Sequence, residues 1–217
     1  MANNFSADKH SEISDKEILD TYKQMLEMSV VSNPRYFHQA RAILLYGQVL
    51  KPKETERNGP DITKHPRFVE FEKIFDEVRK ERYPQRPSRY KSVFLWPRRY
   101  KVDLFHFPRP HENNVPKIRE RLMRDGGFGY AVSVSRGSNL FYGSNGLVGA
   151  IVSDIQHGEH YIDAKGIREW ADIYWSSDMR RKKRVMPWNP MITDAVEVLA
   201  EGGTIKVVGL PQFELVD

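Results

Sequence analysis

The sequence predicts an α+β fold, on three observations. Apolar residues recur at helical spacing in some segments and at period two in others, the two kinds of segment mix without regular β-α-β alternation, and no stretch repeats. A chain of 217 residues is long enough for one substantial core, and 11 Phe, 10 Tyr and 4 Trp are more aromatic surface than a disordered chain carries.

Taken in order, SDKEILDTYKQMLEMSV (14–30) predicts a helix capped by Ser14, with acids in its first turn and Ile18, Leu19, Tyr22, Met25, Leu26 and Met28 along one side. NPRYFHQARAILLYGQVL (33–50) reads both ways: Pro34 can open a helix, yet Tyr36, Phe37, Ile43, Leu44 and Leu45 suit a strand. KPKETERNGPDITKHP (51–66) is a loop by its Pro, Gly and charge content. RFVEFEKIFDEVRKERY (67–83) puts Phe68, Phe71, Ile74, Phe75 and Val78 at helical spacing, with a charged outer face.

After the breaker PQRPS (84–88), YKSVFLW (90–96) and YKVDLFHF (100–107) predict strands, and VPKIRERLMRD (115–125) a helix with Pro116 near its start. FGYAVSVS (128–135) alternates as a strand should. GSNLFYGSNGLVGAIVSDI (137–155) is Gly-, Ser- and Asn-rich, which suits a hairpin or a mobile loop. DAKGIREWADIYWSS (163–177) predicts a helix carrying Ile167, Trp170, Ala171, Ile173 and Tyr174. The strands AVEVLA (195–200) and TIKVVGL (204–210), joined by Gly202-Gly203, carry a hairpin signal. Within the first of these, Glu197 is a carboxylate in an apolar run. It either points outward on an edge strand or reaches into a pocket, since side chains alternate faces along a strand.

Several function classes drop out. No apolar stretch approaches the roughly 20 residues of a membrane span, and the polar N-terminal segment lacks the apolar core of a signal peptide. The absence of Cys removes disulfides, thiolate nucleophiles and thiolate metal sites, which fits a reducing compartment. A cytoplasmic location is therefore expected. There is no GxxxxGK[ST] phosphate loop, GxGxxG, HExxH or GxSxG. Of seven His residues only HGEH (157–160) are close together, and a metal site has no support.

The formal net charge of +5 and a pI near 9.3 favour anionic partners. Much of the charge lies in RRKKR, where Arg180, Arg181, Lys182, Lys183 and Arg184 form a candidate nucleic-acid-binding run, and in WPRRYK (96–101). Aromatic residues interleave with the basic ones at Tyr83, Tyr90, Trp96 and Tyr100, a combination that suits nucleotides.

Three separated segments carry a resemblance. YFHQARAILLYGQVL (36–50) resembles the opening motif of the ADP-ribosyltransferase fold in its diphtheria-toxin-like and DarT-like branches, where an extended segment presents a His preceded by an aromatic residue. RPSRYKSVFLW (86–96) is similar to the central segment of a group of bacterial and phage proteins associated with that fold. EWADIYWSS (169–177) followed by VEVLAEGGTIKVV (196–208) is similar to its closing part, in which a Glu opens the last strand pair. The resemblance implies split mixed sheets flanked by helices over residues 34–217, with residues 1–33 as a helical extension, and it makes residues 35–42 a strand.

It also implies a chemistry and a site. Transfer of ADP-ribose from NAD passes through an oxocarbenium-like centre, so the protein must hold the dinucleotide and stabilise positive charge on a sugar. Glu197 is the expected catalytic carboxylate. His38 is expected at the adenosine ribose, Arg41 or Arg89 at the pyrophosphate, and Tyr90, Tyr174 or Trp175 against nicotinamide. The residue two before Glu197 is Ala195, where the family usually carries Glu or Gln, which argues against arginine side chains as acceptors. Three readings follow: an NAD-dependent ADP-ribosyltransferase acting on nucleic acid or protein in a toxin or phage-defence setting, a non-catalytic nucleotide- or nucleic-acid-binding module of the same fold, and an interaction protein of another α+β fold.

Overall fold

The computed structural model describes residues 14–32, 34–40, 43–52, 65–97, 114–118, 128–157, 163–177 and 196–212. Among the described residues the helices α1 (Asp15–Leu26), α2 (Pro66–Arg82), α3 (Asn145–His157) and α4 (Ala164–Ser176) accompany seven strands. These are β1 (Val30–Ser32), β2 (Tyr36–Ala40), β3 (Ser92–Pro97), β4 (Phe128–Val134), β5 (Asn139–Ser144), β6 (Val196–Glu201) and β7 (Ile205–Gln212). The fold is α+β, with a mixed sheet in the order β1-β7-β4-β2-β3-β6-β5. Among the described residues, no helix is long and apolar enough to cross a membrane.

The sheet is nearly divided in two. Between β2 and β3 the ladder has two pairs, Tyr36 with Pro97 and Phe37 with Trp96, whereas β2 pairs with β4 over five residues and β5 with β6 over six. One leaf is therefore β1-β7-β4-β2 and the other β3-β6-β5, with a short seam between them. Helix α1 lays Tyr22 and Met25 against Phe128, Tyr130 and Val207 of the first leaf. Helices α2, α3 and α4 cover the second, packing Phe71, Phe75, Leu147, Ile151 and Trp175 onto Phe141 and Leu199. A third cluster joins the leaves through Leu95 and Val198 of one and Val132 and Ile205 of the other. Full burial of aromatic side chains such as Phe71 and Phe75 stabilises by roughly 1.5–3 kcal/mol each.

Local chemistry sets the boundaries. Ser14 and Glu17 form a reciprocal capping box on α1, Pro66 sits in the first turn of α2, and the Asp163 carboxylate caps α4. Helix α4 ends on Ser177 in the left-handed conformation, at φ 58°.

Two expectations need correcting. The segment 137–155 is neither hairpin nor loop. Its first part is β5 and the rest is α3, whose start is marked by the Ser144 hydroxyl accepting from the Leu147 amide at 3.4 Å. Leu147, Val148 and Ile151 are buried on one side of that helix, and their burial outweighs the weak propensity of its Gly and Ser residues. The second correction concerns β6 and β7, which do not pair with each other. β6 lies between β3 and β5, and β7 between β1 and β4, so the Gly202-Gly203 turn carries the chain from one leaf to the other. The strand predicted at 100–107, residues 53–64 of the loop predicted at 51–66 and most of the helix predicted at 115–125 lie outside the described residues, although 115–118 is helical.

Candidate functional site

Glu197 is the second residue of β6, in the middle of the β3-β6-β5 leaf. It is not an outward-facing edge residue, because β6 has a neighbour on each side. Val198 and Ala200 face the cluster between the leaves, and period-two alternation turns Glu197 and Leu199 towards α2 and α4. Glu197 is 4% exposed.

The side chains that meet it come from three other elements. Arg89 belongs to a 3-10 turn, Arg89–Lys91, just before β3. The Ser88 hydroxyl caps this turn through the Tyr90 amide at 3.3 Å, the Ser92 hydroxyl donates to the Ser88 carbonyl at 2.6 Å, and the Ser88 amide donates to Glu201 Oε2 at 2.6 Å. Held in this way, the turn sends Arg89 inward, 3% exposed, and leaves Tyr90 at the surface. Tyr174 reaches in from α4 and Glu72 from α2, both buried.

Arg89 uses four of its five N–H donors within the cluster. Nη1 donates to Glu197 Oε1 and, at 2.8 Å, to the Tyr174 hydroxyl; Nε and Nη2 donate to Oε2 and Oε1 of Glu72 at 3.2 and 3.5 Å. The Tyr174 hydroxyl in turn donates to Glu197 Oε1 at 2.6 Å. The guanidinium lies 5.1 Å from the Phe94 ring centre and 5.2 Å from that of Tyr174. Burial opposes its charge, but the carboxylates of Glu197 and Glu72 outweigh burial and hold Arg89 more firmly protonated than usual. Burial pushes the Tyr174 phenol well above its ordinary range, against the pull of Arg89 and with the help of Glu197. Tyr174 is thus a neutral hydrogen-bond donor.

Both hydrogen bonds to Glu197 fall on Oε1, and among the described residues none reaches Oε2. The close approach of Tyr174 depends on Gly143, which pairs with Glu197 in the ladder: a Cβ there would collide with the hydroxyl end of the Tyr174 ring.

His38 stands at the seam. Just past the last β2–β3 pair, its Nδ1 bonds the Phe94 carbonyl at 2.9 Å, and Phe94 is also a ring over which Arg89 lies. One residue of β3 therefore links His38 to the cluster. Trp175 cannot stack on a ligand: it is fully buried, and its indole N–H donates to the Phe75 carbonyl at 2.8 Å. Tyr174 is 1% exposed and its hydroxyl is committed to Glu197, so it belongs to the cluster and is not a stacking platform. Arg89 is likewise committed to carboxylates and not to an incoming pyrophosphate. Tyr90, at 40% exposed, remains on the surface. Arg41 and the run Arg180, Arg181, Lys182, Lys183 and Arg184 lie outside the described residues.

Glu72, on a helix expected to carry a charged outer face, is buried. A signal was available: Glu72 follows Phe68 by four residues and precedes Phe75 by three, which places it on the apolar face. Among the described residues no group of three His, Asp or Glu is arranged to hold a metal ion. No protein-family model matches the chain, and no curated protein is similar to it.

Proposed function

We propose that this chain is an NAD-dependent ADP-ribosyltransferase-like protein modifying nucleic acid or protein, with Glu197 as its catalytic carboxylate. One observation carries the reading: a buried glutamate is fixed through one oxygen while the other accepts no hydrogen bond from the described residues. An oxocarbenium-like transition state calls for a carboxylate of this kind, fixed in advance and surrounded by low dielectric. The negative charge of the Glu197 carboxylate favours a centre that becomes positive. The seam between the leaves, with His38 beside it, adds support, because a split sheet with a His on the opening strand is what the sequence resemblance implies.

In the reaction, the C1′–N bond of NAD breaks and nicotinamide leaves with the electron pair. The acceptor nucleophile then bonds C1′ and loses a proton. Glu197 Oε2 would accept the hydrogen bond of a ribose hydroxyl and stabilise the positive sugar.

A second reading rests on the depth of Glu197. At 4% exposed it also suits a module that binds a nucleotide or nucleic acid without catalysis, the cluster serving only to lock α2 and α4 onto the sheet. Incubation with NAD labelled in the adenylate, with nucleic acid or protein as acceptor, separates the two. Label transfer or nicotinamide release that disappears in Glu197→Gln supports the transferase. Retained activity in a folded Glu197→Gln protein removes that role from Glu197.

A further inference from the structure

We infer that Tyr174, Arg89 and Glu72 are positioning residues that act through Glu197, fixing its Oε1 so that Oε2 is presented in one orientation. This rests on the transferase reading and changes what the other charged and aromatic side chains do: they hold the carboxylate and do not hold NAD.

The geometry argues for it in three steps. Glu197 Oε1 accepts from two donors on different elements, Arg89 before β3 and Tyr174 on α4, which fixes the carboxylate plane better than one bond would. The same Nη1 bonds both Glu197 and the Tyr174 hydroxyl, so the three groups form a closed ring. Glu72 then takes the other side of the guanidinium with both oxygens, which orients Nη1 towards Glu197. Packing alone does not call for this arrangement, since apolar side chains of similar volume often fill such a site at no loss of stability.

The decisive comparison is Tyr174→Phe with Tyr83→Phe. Tyr83 also belongs to the α2–α4 contact, but its hydroxyl donates to Asp172 Oδ1 at 2.9 Å and not to Glu197. NAD cleavage should fall in kcat by about 10- to 100-fold in Tyr174→Phe, the equivalent of one hydrogen bond to a charged group. KM for NAD should stay within about twofold, because ground-state binding is not altered. Tyr83→Phe should show wild-type kcat even where its melting temperature drops by as much. If Tyr174→Phe does not fold, Glu72→Gln replaces it, and the same fall in kcat at constant KM is expected.

Wild-type kcat in folded Tyr174→Phe, or an equal fall in Tyr83→Phe, overturns the positioning role while leaving the transferase in place. A wild-type protein that cleaves no NAD overturns the transferase reading and this inference together.

Discussion

At the scale of single residues, the cluster around Arg89 is an unequal bargain between two acids and one base. Removing the base should cost far more than removing an acid. In Arg89→Met, two buried carboxylates lose the guanidinium they share, and breaking such a buried pair costs about 3–5 kcal/mol. In Glu197→Gln, Arg89 keeps Glu72 and the amide oxygen can still accept from Tyr174. The expected loss there is no more than about 1 kcal/mol. Chemical denaturation of both variants checks the order, and an equal loss in the two would mean that Arg89 is not the group on which the cluster depends. The sequence singled out Glu197 and Arg89 but not their relation: pattern gives the residue type and the face, whereas an ion pair between positions 89 and 197 depends on how β3 and β6 align. Glu72 was hidden for a simpler reason, since a carboxylate on a helix otherwise rich in Lys, Arg and Glu reads as solvated until its phase against Phe68 and Phe75 is counted.

At the scale of elements, the chain changes leaf twice at one place. The β4–β5 turn and the β6–β7 turn each cross from one leaf to the other, and they are bonded together: the Thr204 amide donates to the Ser135 hydroxyl at 2.8 Å and the Ser135 amide to the Thr204 carbonyl at 2.9 Å. Gly203 has a φ of 65°, and a Cβ on it would collide with the hydroxyls of Ser135 and Ser138. The sequence announced a turn at Gly202-Gly203, correctly, but a two-glycine turn says only that the chain reverses. Whether the strands on either side pair depends on what else competes for their edges. Here β3 and β5 occupy both edges of β6.

Two glycine substitutions test the packing of these elements. Gly143→Ala would push the Tyr174 ring out of place and should cost about 1–3 kcal/mol, the usual range for overpacking, while lowering any activity that depends on Glu197. Gly149 lies within α3 with open space around its Cβ position, so Gly149→Ala should instead raise stability by about 0.5–1 kcal/mol. Thermal melting of the pair is the check. A helix where a loop or hairpin was expected makes the second substitution informative, because it stabilises only if 145–157 is helical.

At the scale of the whole molecule, the fold favours protonated phenols in three separate places. Burial is the leading cause in each. It raises Tyr130 between α1 and the first leaf, Tyr174 and Tyr83 under α2 and α4, and Tyr36 at the contact between leaves, where Tyr36 also bonds the Tyr142 hydroxyl at 2.5 Å and is pushed up to about 12. The sign follows from linkage. The unfolded chain releases these protons near the ordinary value of 10.0, whereas the folded chain holds them longer, so the folded state binds more protons in between. Stability from these groups is complete below pH 10 and is lost as pH rises towards 12 and beyond. Those four tyrosines should resist ionisation while the fold persists, then ionise in step with unfolding. Tyrosinate absorbance recorded beside near-ultraviolet circular dichroism across an alkaline titration measures both events. A two-phase absorbance curve, its second phase coincident with loss of tertiary signal, is the expected result. All ten tyrosines ionising together at pH 10 with the tertiary signal intact would mean that these hydroxyls are not sealed within the three cores.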